Sequence, residues 1–288
     1  MPPAPTGPTV HRRQLGAELR RLRMAANLRA EEVAAELECS PTRVSRIENG
    51  RGGAVAKPTD VRRMAKLYGI NDERQVEMLL DMLTSSQKRG WWETYEDVLP
   101  SGLEVYVGLE TDARTERAWE PLVIHGLLQT SDYARALYQS WGTHSPSDFE
   151  ALVDIRMHRQ KSLERDVDAL DLWAILDEAA IRRPIGGRQI MHHQLLHLIE
   201  LAERPNITLQ VLPYDKGGHP GLGGPFSILE FEEDSPVVYV ESPAGNLYLE
   251  KRPDVRLFSG TFDRLRAVAL APDDDTTALL HRAAEEIQ

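Results

Sequence analysis

Cys39-Ser-Pro-Thr-Arg-Val-Ser-Arg-Ile-Glu-Asn-Gly50 reads as one complete helix with both ends marked. Ser40 suits the N-cap, where its hydroxyl can accept from a free amide of the first turn. Pro41 suits the first helical position, which needs no N–H. Gly50 suits the position just past the end, where a left-handed residue closes a helix. Val44 and Ile47, three apart, share one face. Thr42, Arg43, Ser45, Arg46 and Asn49 are left on the others. A short helix with a narrow apolar stripe and such a surface has the shape of one that docks in a DNA major groove. Alone, it equally suits an ordinary solvated helix.

The residues before it decide between the two. Arg29 to Leu37 (RAEEVAAEL) places Val33, Ala34 and Leu37 at helical spacing. Only Glu38 and Cys39 separate that segment from the Ser40 cap. Two short helices joined by a tight turn make a helix-turn-helix unit. On this reading Thr42, Arg43 and Arg46 lie at base edges or nearby phosphates, with Ser45 and Asn49 assisting. Arg29 and Arg51 position the duplex backbone.

Charge supports the assignment once it is divided along the chain. The 288 residues carry a net charge of −11. Val10 to Tyr68 holds 13 Lys/Arg against 7 Asp/Glu, a net of +6, which leaves −17 for the rest. A basic module joined to an acidic one is the asymmetry expected of a regulator, and only the basic part should approach phosphate. The length suits about two domains. Apolar residues make up 41% and charged ones 27%, as in a soluble globular chain, and no run of 18 apolar residues would span a membrane. Met1 to Thr9 has no apolar core, so it reads as a disordered leader rather than a signal peptide. The single Cys39 forbids an internal disulfide, suits a small buried apolar role, and suggests a cytoplasmic address.

Residues 12–70 resemble the Xre/Cro/repressor class of helix-turn-helix domain. The carrying residues are Leu15-Gly-Ala-Glu-Leu-Arg-Arg-Leu-Arg23, Glu31-Glu-Val-Ala34 and Ser40 to Gly50. Two positions depart from that class. Arg29-Ala30 stand where Thr-Gln usually opens the second helix, so Arg29 is the candidate to replace the phosphate contact of the Gln. Glu38 stands where the turn usually has Gly; if that backbone needs a positive φ, a non-Gly residue costs about 1 kcal/mol.

Working outward, a first helix runs from about Arg12 to Ala26 with Leu15, Leu19 and Leu22 on one face and Asn27 as a left-handed cap. Arg12, Arg13, Arg20, Arg21 and Arg23 lie on its remaining surface. A fourth helix starts at Pro58 or Thr59, buries Val61, Met64, Ala65 and Tyr68, and ends at Gly69. A fifth spans about Asp72 to Leu83. The expected organisation is a leader over 1–9, an all-α five-helix DNA-binding domain over 10–83, a linker over 84–90, and an acidic α+β domain over 91–288. Trp91-Trp92 open that second domain. A helix is expected from Leu103 to Trp119, then an irregular buried connection (EPLVIHGLLQ), then helices from Ser131 to Trp141 and from Ser145 to about Arg165. Ala169 to Leu176 suits a strand, and Gly187 precedes a helix to about Arg204. Ile207–Leu212, Pro225–Glu232, Val237–Glu241 and Asn246–Glu250 read as strands, the last three an antiparallel meander turning at Asp234-Ser-Pro and Pro243-Ala-Gly. Two helices close the chain. The expected sheet is antiparallel.

Gly126-Leu-Leu-Gln-Thr-Ser-Asp-Tyr-Ala-Arg-Ala136, Leu176-Asp-Glu-Ala-Ala180, Leu201 to Pro213 and His219-Pro-Gly-Leu-Gly-Gly-Pro-Phe226 resemble the C-terminal domain of antitoxin-like helix-turn-helix regulators of high-GC, developmentally complex bacteria. The usage of 28 Arg against 6 Lys agrees with that origin. His125 stands where that family more often has Pro. The resemblance implies transcription regulation, often with a small partner protein encoded by a neighbouring gene.

No enzyme is expected. His193 and His197 share a helix face, but Gln-Leu-Leu intervenes and the His-Glu-x-x-His signature is missing. Gly217 to Gly224 precede a strand rather than a helix and so offer no helix N-terminus to a phosphate. Asp177 and Glu178 suit solvated carboxylates or partners of Arg182 or Arg183. No metal and no cofactor is called for. The expectation is a homodimeric, cytoplasmic transcription regulator on an inverted-repeat operator in double-stranded DNA, with no membrane partner, whose acidic domain senses a small protein or ligand. The alternative is an interaction module that neutralises or scaffolds a small partner and binds DNA only for autoregulation.

Overall fold

The computed structural model describes residues 8–50, 56–87, 90–95, 98–100, 102–142, 146–232, 234–242 and 245–287. Contacts divide the chain into one unit of Met1–Thr94 with Gly102–Asp112 and a second of Tyr95–Ser101 with Ala113–Gln288. The expected linker over 84–90 therefore does not coincide with the division.

The first unit is helical: α1 (Pro8–Ala25), α2 (Ala30–Glu36), α3 (Pro41–Glu48), α4 (Pro58–Leu67), α5 (Glu73–Ser86) and α6 (Leu103–Asp112). Leu15, Leu19, Val33, Ala34, Val44, Ile47, Val61, Met64, Leu79 and Leu83 form its core, with Cys39 packed against it. In α1 to α4 these are the stripes expected from periodicity. Two helix ends differ. α1 starts at Pro8, so the last residues of the expected leader are helical and Thr9 is buried. α5 continues to Ser86, whose carbonyl accepts from Arg12 Nε at 2.9 Å. That contact gives the last turn a reason to stay helical which periodicity does not show.

The second unit holds a six-stranded sheet in the order β3-β2-β1-β4-β5-β6. The strands are β1 (Thr115–Glu120), β2 (Asp171–Asp177), β3 (Ile207–Leu212), β4 (Phe226–Glu230), β5 (Val237–Val240) and β6 (Leu247–Leu249). The expected helix from Leu103 to Trp119 is thus two elements, α6 and β1. Thr115-Glu-Arg-Ala-Trp-Glu120 has little intrinsic strand preference. It is held extended by β2 on one side and β4 on the other, a tertiary override of propensity. The expectation of an antiparallel sheet is corrected with it. β1, β2 and β3 are mutually parallel, while β1–β4, β4–β5 and β5–β6 are antiparallel. Parallel neighbours need long crossovers. These are α7 (Ser131–Trp141) with α8 (Pro146–Gln160), and then α9 (Glu178–Arg182) with α10 (Arg188–Ala202). The β4–β6 meander is as expected; its turn residues Glu233, Pro243 and Ala244 lie outside the described residues, as does Ser145 before α8.

α11 (Arg252–Val268) packs on one face, where Phe262 and Leu265 meet Trp119, Ile175, Leu212, Phe226, Ile228 and Val238. Alternate strand residues point to the other face, where α10 buries Met191, Leu195 and Leu198. α12 (Asp274–Ile287) packs against α10. The β3 edge is closed, since Leu270 N donates to Val211 O at 2.9 Å and Val211 N to Thr276 Oγ1 at 3.4 Å.

The connection after β1 is irregular and buried, so its backbone needs side-chain partners. Tyr133 Oη accepts from Ile124 N at 3.2 Å. Gln129 Nε2 donates to Ile124 O at 2.6 Å, and Gln194 Nε2 to Leu128 O at 2.7 Å. Gln194 Oε1 accepts from Thr130 N at 2.6 Å. His125 Nε2 lies 3.2 Å from Glu116 Oε1, and both side chains are buried.

Candidate nucleic-acid interface

α3 has the ends its sequence specifies. Ser40 Oγ accepts from Arg43 N at 3.2 Å, Pro41 opens the helix, and Gly50 is left-handed at φ 61°. Its inner face is Val44, Ile47 and Glu48. It lies so close to α1 that a Cβ on Gly16 would stand 2.5 Å from Ile47 O and 2.7 Å from Glu48 O. The glycine is required there by close approach, not by backbone angle.

Glu48 is buried because it is paired. Arg23 of α1 meets it with Nε at 2.7 Å from Oε1 and Nη2 at 2.9 Å from Oε2, while Arg23 Nη1 donates to Leu28 O at 2.7 Å. The bond to Glu48 raises the Arg23 pKa further. The Tyr68 phenol packs nearby and is pushed up, chiefly by burial and then by the Glu48 charge. A bidentate pair of this kind fixes orientation as well as distance.

The turn between α2 and α3 needs a left-handed residue, and a non-glycine supplies it. Glu38 sits at φ 53°. Cys39 N donates to Ala34 O at 2.9 Å, closing α2 over the turn. Arg63 of α4 reaches Glu36 O and, at 3.3 Å, Glu38 Oε1.

The candidate readers separate into two groups. At about 100° per residue, Ser45, Asn49, Thr42 and Arg46 fall within roughly 100° of one another on the helix. All four are exposed. Asn49 Nδ2 donates to Ser45 O at 2.7 Å and Ser45 Oγ at 3.2 Å, which closes the helix end but keeps both side chains at the surface. Among the described residues, the Arg46 side chain has no hydrogen-bond or ion-pair partner. Arg43 stands apart on the flank. Its Nη2 lies 2.7 Å from Asp60 Oδ2 of α4, and the same oxygen accepts from Lys57 N at 3.0 Å. Burial works against the Asp60 carboxylate, but the Lys57 amide and Arg43 outweigh it and hold its pKa below the ordinary range. Arg29 is exposed over Glu32 at 3.8 Å. Arg51 lies outside the described residues. Of the α1 arginines placed on the surface by sequence, Arg13 is buried, Arg23 is paired inside and Arg12 binds Ser86, so Arg20 and Arg21 are the exposed ones. Glu48 and Asp60 were not singled out by sequence reading, although Glu48 stands one turn after Val44 and so on the buried face.

In the second unit, Asp177 caps α9 by accepting from Ala179 N at 2.8 Å. Glu178 accepts from Arg182 Nε at 3.1 Å, the pairing weighed from sequence, and from Tyr214 N at 2.9 Å. The glycine-containing loop is seated rather than free at Gly221, where Trp119 Nε1 donates to Gly221 O at 2.8 Å. His219 stacks edge-on to Trp119 at 5.2 Å. His192 Nδ1 lies 3.0 Å from Ala284 O, and His197 stands 3.9 Å from Glu200. Among the described residues no three His, Cys, Asp or Glu side chains gather as metal ligands, and no helix is long and apolar enough to cross a membrane. Burial pushes Glu120 up to about 7, with Glu241 and Glu116 adding to the rise and His125 and Arg156 opposing it.

Comparison with known proteins agrees with the N-terminal geometry. Residues 14–78 match a family model described as a helix-turn-helix domain. No curated protein and no solved structure matches the chain. Residues 103–282, more than half the chain, match the model of a domain of unknown function, DUF5753, and the chain belongs to that family.

Proposed function

We propose that this protein is a sequence-specific transcription regulator of the Xre/Cro kind, with an antitoxin-like C-terminal domain, acting in the cytoplasm as a homodimer on an inverted repeat. The observation that carries the reading is the outward face of α3. Thr42, Ser45, Arg46 and Asn49 form one continuous polar surface, and Arg46 is uncommitted to any described residue. Behind it, Gly16, Val44, Ile47 and the Arg23–Glu48 pair hold the helix rigidly. A site for base recognition needs that combination of free donors and fixed backbone. Arg29 and Arg51 serve the duplex backbone. A single head of this size contacts few bases, so two symmetric half-sites are expected. The acidic C-terminal domain senses a small partner protein or a ligand and carries no catalysis.

The test is a binding selection from genomic fragments at stated salt with the full chain, followed by titration of the selected duplex. Enrichment of one inverted repeat is expected. Replacing Arg46 with Ala should weaken binding by about 1–3 kcal/mol if it reads a guanine. Equal retention of all fragments, or an unchanged affinity for R46A, would remove α3 from the reading role.

A further inference from the structure

We infer that Asp60 is a specificity-determining residue that acts by withholding Arg43 from DNA. The inference rests on the DNA-binding reading above and assigns a role to a pair outside the reading face. Arg43 is the first of the two arginines of α3 and, by sequence, an obvious phosphate or base ligand. Its guanidinium instead points at α4, with Nη2 at 2.7 Å from Asp60 Oδ2. The pair is shielded: the Arg43 side chain is 31% and the Asp60 side chain 12% exposed. Asp60 is also fixed before any ligand arrives, because Lys57 N donates to the same carboxylate oxygen. A phosphate that drew the Arg43 guanidinium off α4 would break a charge-assisted bond and leave Asp60 without its cationic partner beside the duplex.

The consequence is a division of labour. A cation that meets phosphate adds affinity for every sequence equally and adds one released counterion. A cation that is withheld adds none. Asp60 thereby lowers background binding without touching the discrimination that Thr42, Ser45, Arg46 and Asn49 supply. Asn at position 60 keeps an oxygen for the Lys57 amide and loses the charge that holds Arg43.

The experiment compares wild type, D60N and the double variant R43A/D60N in full-length protein. Each is titrated with a random-sequence duplex and with the selected operator between 50 and 200 mM salt. The double variant preserves net charge, so the pair is removed without a new field at the DNA. D60N should bind random duplex more tightly at low salt, with log K against log salt steeper by about 0.9. That slope adds roughly a threefold loss of affinity across the salt range. R43A/D60N should return to the wild-type slope. A double variant with a slope shallower than wild type by about 0.9, or a D60N slope equal to wild type, would overturn the inference. Failure of wild type to bind any duplex would instead sink the DNA-binding reading. A measurement without substitution guards against unfolding of the variants. The Arg43 Nη2 proton resonances of wild type should stay in place as duplex is added, and their displacement would show transfer to phosphate.

Discussion

Replacing Gly16 with Ala sets two well-defined effects against each other. In an exposed helix interior the change stabilises by about 0.5–1 kcal/mol, because Ala loses less backbone freedom on folding. At Gly16 the new methyl would stand 2.5 Å from Ile47 O, 2.7 Å from Glu48 O and 2.8 Å from Glu48 C, all backbone atoms. No side-chain rotation relieves such contacts, so α1 and α3 must separate by the better part of an ångström. Overpacking of this kind costs about 1–3 kcal/mol. Separation also loosens the Arg23–Glu48 pair, whose two short bonds demand the present spacing. The net expectation is a destabilisation of about 1–2 kcal/mol, opposite in sign to the propensity effect. Amide hydrogen exchange of the full chain reads it locally. Protection of Val44 to Gly50 should fall by roughly 5–30-fold. Ala17→Gly, at an exposed position one residue on, calibrates the propensity effect alone. A rise in protection for G16A would mean that α1 does not approach α3 this closely, and the account of how the reading helix is seated would fail.

Glu38→Gly should exceed Glu38→Ala in stability by about 1 kcal/mol, because both lose the exposed contact to Arg63 and only Gly relieves the positive φ; equal unfolding midpoints would refute the strain. Glu48→Ala should cost about 3–5 kcal/mol by leaving Arg23 charged and buried, read as loss of helical ellipticity at moderate urea; a loss under 1 kcal/mol would place the pair in water. Glu120 keeps its proton longer in the folded chain than in the unfolded one, so stability should be fullest below pH 4.5 for this group and fall as pH rises towards 7. The fall is at most about 3 kcal/mol, and Glu120→Gln should flatten it; an identical pH profile in the variant would remove Glu120 from the balance.

How much of the first unit was legible follows from what each residue contributes locally. Ser40, Pro41 and Gly50 act through backbone valences of their own helix, and Val44 and Ile47 through its period. Such signals need no knowledge of the rest of the fold, and they placed α3 correctly. Glu38 was legible as a conditional: a departure from glycine that matters if φ is positive, as it is at 53°. Arg43 and Arg46 show the limit. In the sequence they are equivalent, three apart on a polar surface. They differ only because α4 brings Asp60 beside one of them. No local pattern encodes that meeting, since residue 60 also reads as an ordinary acid in the first turn of its own helix.

The second unit was misread at one element, and the physical cause is specific. β1 lies in the middle of the sheet, where a fully covered strand should be an apolar run. It is instead Thr-Glu-Arg-Ala-Trp-Glu. Glu116 is buried at the β1 position facing Leu229 of β4, and it is tolerated there because His125 comes within 3.2 Å. Arg117 points to the other face and reaches Glu230 at 2.6 Å. Glu116 and Arg117 are each matched by a residue that arrives from outside the strand, one of them from the neighbouring strand. The period of the segment is therefore hidden under pairing. Once β1 was read as helix, no strand joined the β2–β3 pair to the meander, and the sheet was read as antiparallel. A central strand that carries charge spends stability on polar pairing that apolar residues would not require. That cost falls on the strand leading into Glu120, which is why the sequence shows charges there in place of an apolar run.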